Sequence, residues 1–134
     1  MPVQTKRVYD PVGPQDGCRV LVDGLWPRGL KKEALVITRW MREIAPSASL
    51  RAWYKHDPKK WPVFRKKYRL ELSQSPRREL LKELAAEARK GMLTLVFGAR
   101  DTERSNAAVI AEKLGEKLQS KAGKPRRGDR KPPA

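Results

Sequence analysis

One cysteine, one histidine and two phenylalanines stand in a chain of 134 residues. A lone Cys18 cannot close an internal disulfide. Cys18 and His56 together fall short of the ligand count of an ordinary zinc cluster, so neither a metal nor a cofactor is expected. No apolar run approaches the roughly 20 residues that a membrane-spanning helix requires, and the first residues carry no apolar signal-like stretch. A soluble, cytoplasmic protein without a membrane partner is expected. The glycines match neither the G-x-G-x-x-G dinucleotide pattern nor the G-K-[ST] end of a triphosphate loop. No internal repeat is evident. Acidic residues are also scarce: 15 Asp and Glu face 31 Lys and Arg, a formal net charge of +16.

That excess makes polyanions and small anions natural partners, and it is unevenly spread. Residues 120–134 contribute +5, leaving +11 for residues 1–119. The last segment is rich in Gly, Pro and basic residues and cannot build a core, so it reads as a flexible basic tail. Residues 1–119 are long enough for one domain with one real core. Within them, residues 55–69 hold seven Lys or Arg and one Asp. On a helical wheel Lys59, Lys60, Lys66 and Lys67 oppose Trp61, Phe64, Tyr68 and Leu72. The first set is a candidate nucleic-acid contact or simply a solvated face; the second faces a core, and aromatics buried there cannot also stack on bases.

Hydrophobic patterning predicts strands over 3–9, 18–22 and 92–97. The last two are nearly unbroken apolar runs suited to the middle of a parallel sheet, whereas Lys6 and Arg7 make the first strand an edge. Helices are predicted over about 33–45, from Ser47 through Tyr54, from Asp57 through Leu72 with a bend at Pro62, from Ser75-Pro76 to Gly91, and from about 102–105 to Leu118. Trp40, Trp53 and Trp61 lie at helical spacing and are expected to pack in the core or between helices. The fold expected is a small, mainly parallel α/β sheet flanked by helices in a single domain, with right-handed crossovers.

In open α/β sheets, sites lie beyond the carboxyl ends of strands. The segments 23–29 and 98–101 leave two such ends and are expected to border one cleft. Arg28 and Arg100 are the candidate anion-binding residues, because a guanidinium fork fits phosphate or carboxylate. Asp23, Asp101 and Asn106 are the candidate catalytic residues. Asp23 suits a general base, a metal ligand or an internal ion pair, Asp101 is equally a helix cap, and Asn106 suits orientation of a substrate oxygen or water. Trp26 would cover a ligand or lid the core. His56 suits acid–base chemistry but has no nucleophile nearby in sequence, and Cys18 reads as a structural thiol.

Three segments carry a family resemblance: RVLVDGLWPRGL (19–30), WMREIAPSASLRAWYKHDPKKWPVFRKKY (40–68) and TLVFGARDTERSNAAV (94–109). Over about residues 6–118 the chain resembles the YeaO-like branch of the DUF488 family of uncharacterised bacterial and archaeal proteins. The resemblance implies a small α/β fold and no established reaction. Asp23, Trp26, Arg28, Asp101 and Asn106 fit the family pattern. The chain departs from it at Gly24, where the family usually has arginine, and at Ser105, where it commonly has histidine. If a family activity needs either side chain, this member's is weakened or altered.

Three functions compete. The first is a nucleic-acid or phosphate-anion-binding domain. The second is a small enzyme acting on an anionic or phosphorylated metabolite, with a narrow pocket at Asp23. The third is a protein-interaction module with a closed cleft and an exposed apolar patch.

Overall fold

The two apolar runs form the centre of a four-stranded, all-parallel sheet in a computed structural model that describes residues 2–122. The strands are β1 (Val3–Arg7), β2 (Cys18–Leu21), β3 (Arg39–Trp40) and β4 (Leu93–Phe97), in the order β1-β4-β2-β3. β4 is buried along its whole length, and β1 is half-buried at one edge. Four helices complete a single-domain α/β fold: α1 (Ala48–Tyr54), α2 (Trp61–Leu72), α3 (Arg77–Lys90) and α4 (Asn106–Ala122). Residues 123–134, where most of the basic tail is expected, lie outside the described residues.

The two-residue period of the strands divides the core. Val20, Val22, Leu93, Leu95 and Phe97 pack with the helices, where Phe64, Tyr68, Leu72, Leu84 and Ile110 fill the space. Leu21 and Val96 face the other way and are covered by Val8, Leu35, Trp26 and Trp40 from irregular segments. The α2 face expected to be buried is buried at Phe64, Tyr68 and Leu72. Tyr68 donates its hydroxyl proton to the Ile44 carbonyl at 2.6 Å, which satisfies the polar tip of a fully enclosed ring. Ser47 caps α1 by accepting from Leu50 N, and its hydroxyl also donates to Glu71 on α2 at 2.5 Å.

Three local expectations are corrected. The helix expected over 33–45 does not form. That span holds a 3₁₀ turn (Lys32–Ala34), β3 and a second 3₁₀ turn (Arg42–Ile44). Its run Val36-Ile37-Thr38 is β-branched and disfavours a helix, and Trp40 finds a partner in Leu21 across the sheet. Met41 and Ile44 still reach the core. Second, Pro62 does not bend a helix. Asp57 caps a 3₁₀ turn (Pro58–Lys60) and α2 starts afresh at Trp61, so Pro62 falls in its first turn, where a missing N–H leaves nothing unsatisfied. Third, Trp53 is at the surface, 37% exposed, with Lys60 and Lys67 each about 5 Å from its ring.

On the face away from the helices lies a buried polar cluster that the sequence reading did not anticipate. Asp16 receives Arg19 Nη1 at 2.5 Å, Lys6 Nζ at 2.8 Å and the Gly13 N–H at 3.1 Å. Thr94 on β4 donates to the Asp16 carbonyl. The cluster ties the β1–β2 connection to β1, β2 and β4. The Lys6 ammonium, the Gly13 amide and the Arg19 guanidinium hold the Asp16 carboxyl at about 2, against a usual 3.8. Its stabilising contribution is therefore complete above the usual value and lost as pH falls from there toward about 2. We predict that Asp16→Asn lowers the urea midpoint at neutral pH, because Arg19 is left buried without its counter-charge. We also predict that the variant loses this part of the wild-type acid sensitivity. Equal midpoints at neutral pH would contradict the assignment.

Candidate functional site

Because all four strands run parallel, their carboxyl ends share one edge of the sheet. The loops leaving β1, β2 and β4 meet there around a cleft of about 370 Å³. Asp23, at the end of β2, is the joint between them. Its Oδ2 accepts from the Gly98 N–H at 2.8 Å, just past β4. Its Oδ1 accepts from Asn106 Nδ2 at 3.2 Å, at the start of α4. The same Asn106 amide donates to the Val22 carbonyl at 3.0 Å, and Trp40 Nε1 donates to the Asp23 carbonyl at 2.7 Å. A Cβ on Gly98 would stand 3.2 Å from Asp23 Oδ2, so this close approach favours glycine. Burial pushes the Asp23 carboxyl up, opposed by the Gly98 N–H, the Asn106 amide and the neighbouring His56 and Arg51. The pH dependence is opposite in sign to that of Asp16: the fold gains from Asp23 protonation at low pH and loses that gain as pH rises through its folded value.

Of the residues expected at the site, Asp23, Arg28 and Asn106 line the cleft together, and Trp26 forms part of its wall. Trp26 Nε1 donates to the Leu30 carbonyl at 2.6 Å, and its ring meets Trp40 edge-on at 5.4 Å, which shapes the loop. Arg100 is exposed and is not among the lining residues. Asp101 is also off the wall. Its carboxylate accepts from the Glu103 and Arg104 amides and pairs with Arg104 Nη1 at 3.0 Å. These contacts hold its carboxyl below the usual range. Ser105 is the cap of α4: its Oγ accepts from Ala108 N at 3.2 Å and donates to the Thr102 carbonyl.

The cleft also contains residues that sequence reasoning did not place there. Arg51 and Tyr54 come from α1, and Arg104 precedes α4. Arg51 carried no sequence signal, since a basic residue on a short helix is ordinarily solvated. Its Nη1 donates to the Pro46 carbonyl at 3.3 Å, and its guanidinium lies where a side chain on residue 24 would project. Tyr54 stacks on Phe64 at 4.2 Å and is buried. His56, suited by its sequence to acid–base chemistry but without a nucleophile nearby, lines the cleft 5.8 Å from the Tyr54 ring. Lys55 and His56 both have positive φ, 48° and 57°. A left-handed conformation costs about 1–2 kcal/mol for such residues. Here it ends α1 and turns the chain toward the Asp57 cap.

Arg28 and Arg51 share one property. Neither guanidinium enters an ion pair among the described residues, as is true also of Arg7, Arg42, Arg77, Arg89 and Arg100 away from the cleft, whereas Arg19, Arg39, Arg65, Arg69, Arg78 and Arg104 do. Away from the cleft, the basic ridge of α2 is divided. Arg65 and Arg69 pair with Glu112 and Glu116 of α4. Lys60 and Lys67 close over Trp53, and Lys59 and Lys66 are exposed. Cys18 is a half-buried free thiol at the start of β2. Among the described residues no three His, Cys, Asp or Glu side chains cluster closely enough to hold a metal ion, and no helix is long and apolar enough to cross a membrane.

The family model described as the Inactive DUF488-N3 subclade (DUF488-N3i) matches residues 2–133. The chain is 43% identical over 114 residues to the Escherichia coli K12 protein named "Uncharacterized protein YeaO", covering 85% of this chain and 97% of that one. It is 39% identical over 112 residues to the Mycobacterium tuberculosis H37Rv protein Rv3073c, covering 84% and 92% of the two chains. The Mycobacterium bovis protein Mb3100c aligns to the same extent. No solved structure gives a significant match. The chain therefore belongs to the DUF488 family as a YeaO-like member of its inactive N3 subclade.

Proposed function

We propose that the protein binds a small phosphate- or carboxylate-bearing ligand in the cleft at the carboxyl ends of the strands and does not transform it. The observation that carries this reading is the pair Arg28 and Arg51, two guanidiniums on one cleft with no counter-charge of their own among the described residues. Guanidinium forks without an ion-pair partner in a partly apolar cavity are suited to oxyanions. A volume of about 370 Å³ is at the small end of the range for ligand pockets. Tyr9, Trp26, Tyr54 and Phe64 on the wall favour a ligand with a flat apolar part.

Binding without turnover is favoured by what the three candidate catalytic residues already do. Both Asp23 oxygens accept hydrogen bonds from the fold, Asn106 spends its amide on Val22 and Asp23, and Asp101 organises the turn before α4. The description of the subclade as inactive agrees with this. A second reading, contact with nucleic-acid phosphates, is favoured by Lys59 and Lys66, which stay exposed and free of ion pairs among the described residues while the arginines of the same ridge are engaged. Such contacts would be directed to the backbone and steeply salt-dependent.

Isothermal titration calorimetry with phenyl phosphate is expected to give saturable binding at one site per chain, and benzyl alcohol none. Arg51→Gln should weaken the interaction roughly ten- to a hundredfold, the equivalent of about 1.5–3 kcal/mol for a charge-assisted hydrogen bond. No saturable heat, or the same affinity in Arg28→Gln and Arg51→Gln as in the wild type, would overturn the reading. Asp23→Asn should bind phenyl phosphate at least as tightly as the wild type. It should lose about 1 kcal/mol of stability in urea, because its amide must face one donor, Gly98 N or Asn106 Nδ2. Loss of binding at unchanged stability would instead make Asp23 a ligand-contacting group. If the nucleic-acid reading holds, fluorescence anisotropy at low salt should detect mixed-sequence RNA that phenyl phosphate does not displace.

A further inference from the structure

We infer that Gly24 is the positioning residue that admits the Arg51 guanidinium to the cleft, and that its missing side chain sets the preference of the cleft for anions. The inference rests on the anion-binding reading above. Gly24 follows Asp23 directly in the loop leaving β2, and both it and Arg51 line the cleft. A Cβ on residue 24 would collide with Arg51 Nη1, stand 3.1 Å from its Cζ, and touch the Cβ of Ala45 at 3.4 Å. The guanidinium therefore lies against the bare backbone of Gly24.

Space is the reason for glycine here. The Gly24 backbone is not in the left-handed region, unlike Gly17 and Gly29, so an L side chain meets no conformational barrier. What a Cβ displaces is the far end of a flexible side chain. The helix behind that end is fixed, since Ser47 is hydrogen-bonded to Glu71 and the Arg51 carbonyl accepts from Lys55 N at 3.1 Å. A methyl group at position 24 therefore rotates Arg51 out of the cleft and leaves α1 in place. Gly98 behaves differently: a Cβ there presses on an Asp23 oxygen that is itself held by the fold, so substitution at position 98 disturbs structure before it disturbs binding.

The test compares the full-length wild type, Gly24→Ala, Arg51→Gln and the double variant, with inorganic phosphate and phenyl phosphate as probes in calorimetry and urea denaturation as the control. Gly24→Ala is expected to weaken phenyl phosphate binding about tenfold or more, to nearly the level of Arg51→Gln, while its urea midpoint stays close to that of the wild type. In the Arg51→Gln background, Gly24→Ala should have little further effect on affinity, because the group it displaces is already gone. Wild-type affinity in Gly24→Ala, or full independent losses in the double variant, would overturn the inference and leave the anion-binding reading standing. Absence of binding by the wild type would overturn that reading and this inference with it. If Gly24→Ala does not fold, Gly24→Ala/Arg51→Ala removes the collision. Recovery of the folded state supports the placement of Arg51, and failure to recover overturns it.

Discussion

The arrangement of the cleft depends on one carboxylate. Asp23 ends β2 and accepts hydrogen bonds from the loop after β4 and from the first residue of α4. Without it, the loop after β4 loses its side-chain link to the end of β2, and Asn106 keeps only its bond to the Val22 carbonyl there. The Asn106 amide extends the joint to the Val22 carbonyl, and Arg7 clamps the same region from β1 by donating to the Ala99 and Gly98 carbonyls at 2.9 and 3.3 Å. A carboxylate used in this way is a structural anchor whose burial is tolerated because its oxygens are satisfied.

A second carboxylate, Asp16, plays a comparable part on the opposite face, with a different electrostatic balance. Lysine and arginine surround it, so its ionised form is strongly favoured. Asp23 faces neutral donors and has charged residues only nearby, so burial dominates. The cations follow a parallel division. Several arginines are absorbed into ion pairs, and Arg65 and Arg69 fasten α2 to α4 in this way. Among the arginines without such partners in the described residues, Arg28 and Arg51 both stand at the cleft. Two unpaired guanidiniums brought to one cleft, more than the net charge of the chain, distinguish the site.

Much of the frame was legible because it rests on short-range signals. The apolar runs at 20–22 and 92–97 announced central parallel strands, Ser47 and Asp57 announced helix starts, and the positions of Asp23 and Arg28 followed from the rule that sites lie beyond strand ends. The span 33–45 misled because Trp40, Met41 and Ile44 have helical spacing, while Val36, Ile37 and Thr38 and the open edge of β2 favour extended chain. Arg51 was invisible for another reason. Its role comes from the tertiary approach of α1 to Gly24, and nothing local marks either residue as half of a pair. The same holds for Asp16 and Arg19, whose burial depends on the fold of a connection with no regular pattern. Family membership sharpened the frame without supplying a reaction.

The central claim is that the cleft beside Asp23 receives an oxyanion through arginines left free for it. Titrating isotopically labelled protein with phenyl phosphate, and following backbone amide and arginine side-chain resonances by nuclear magnetic resonance, tests this most directly. The account predicts that Gly24, Arg28, Arg51, Gly98 and Asn106 shift together along one saturable isotherm while α3 stays unmoved. Shifts confined to the lysines of α2, or shifts that never saturate, would contradict it.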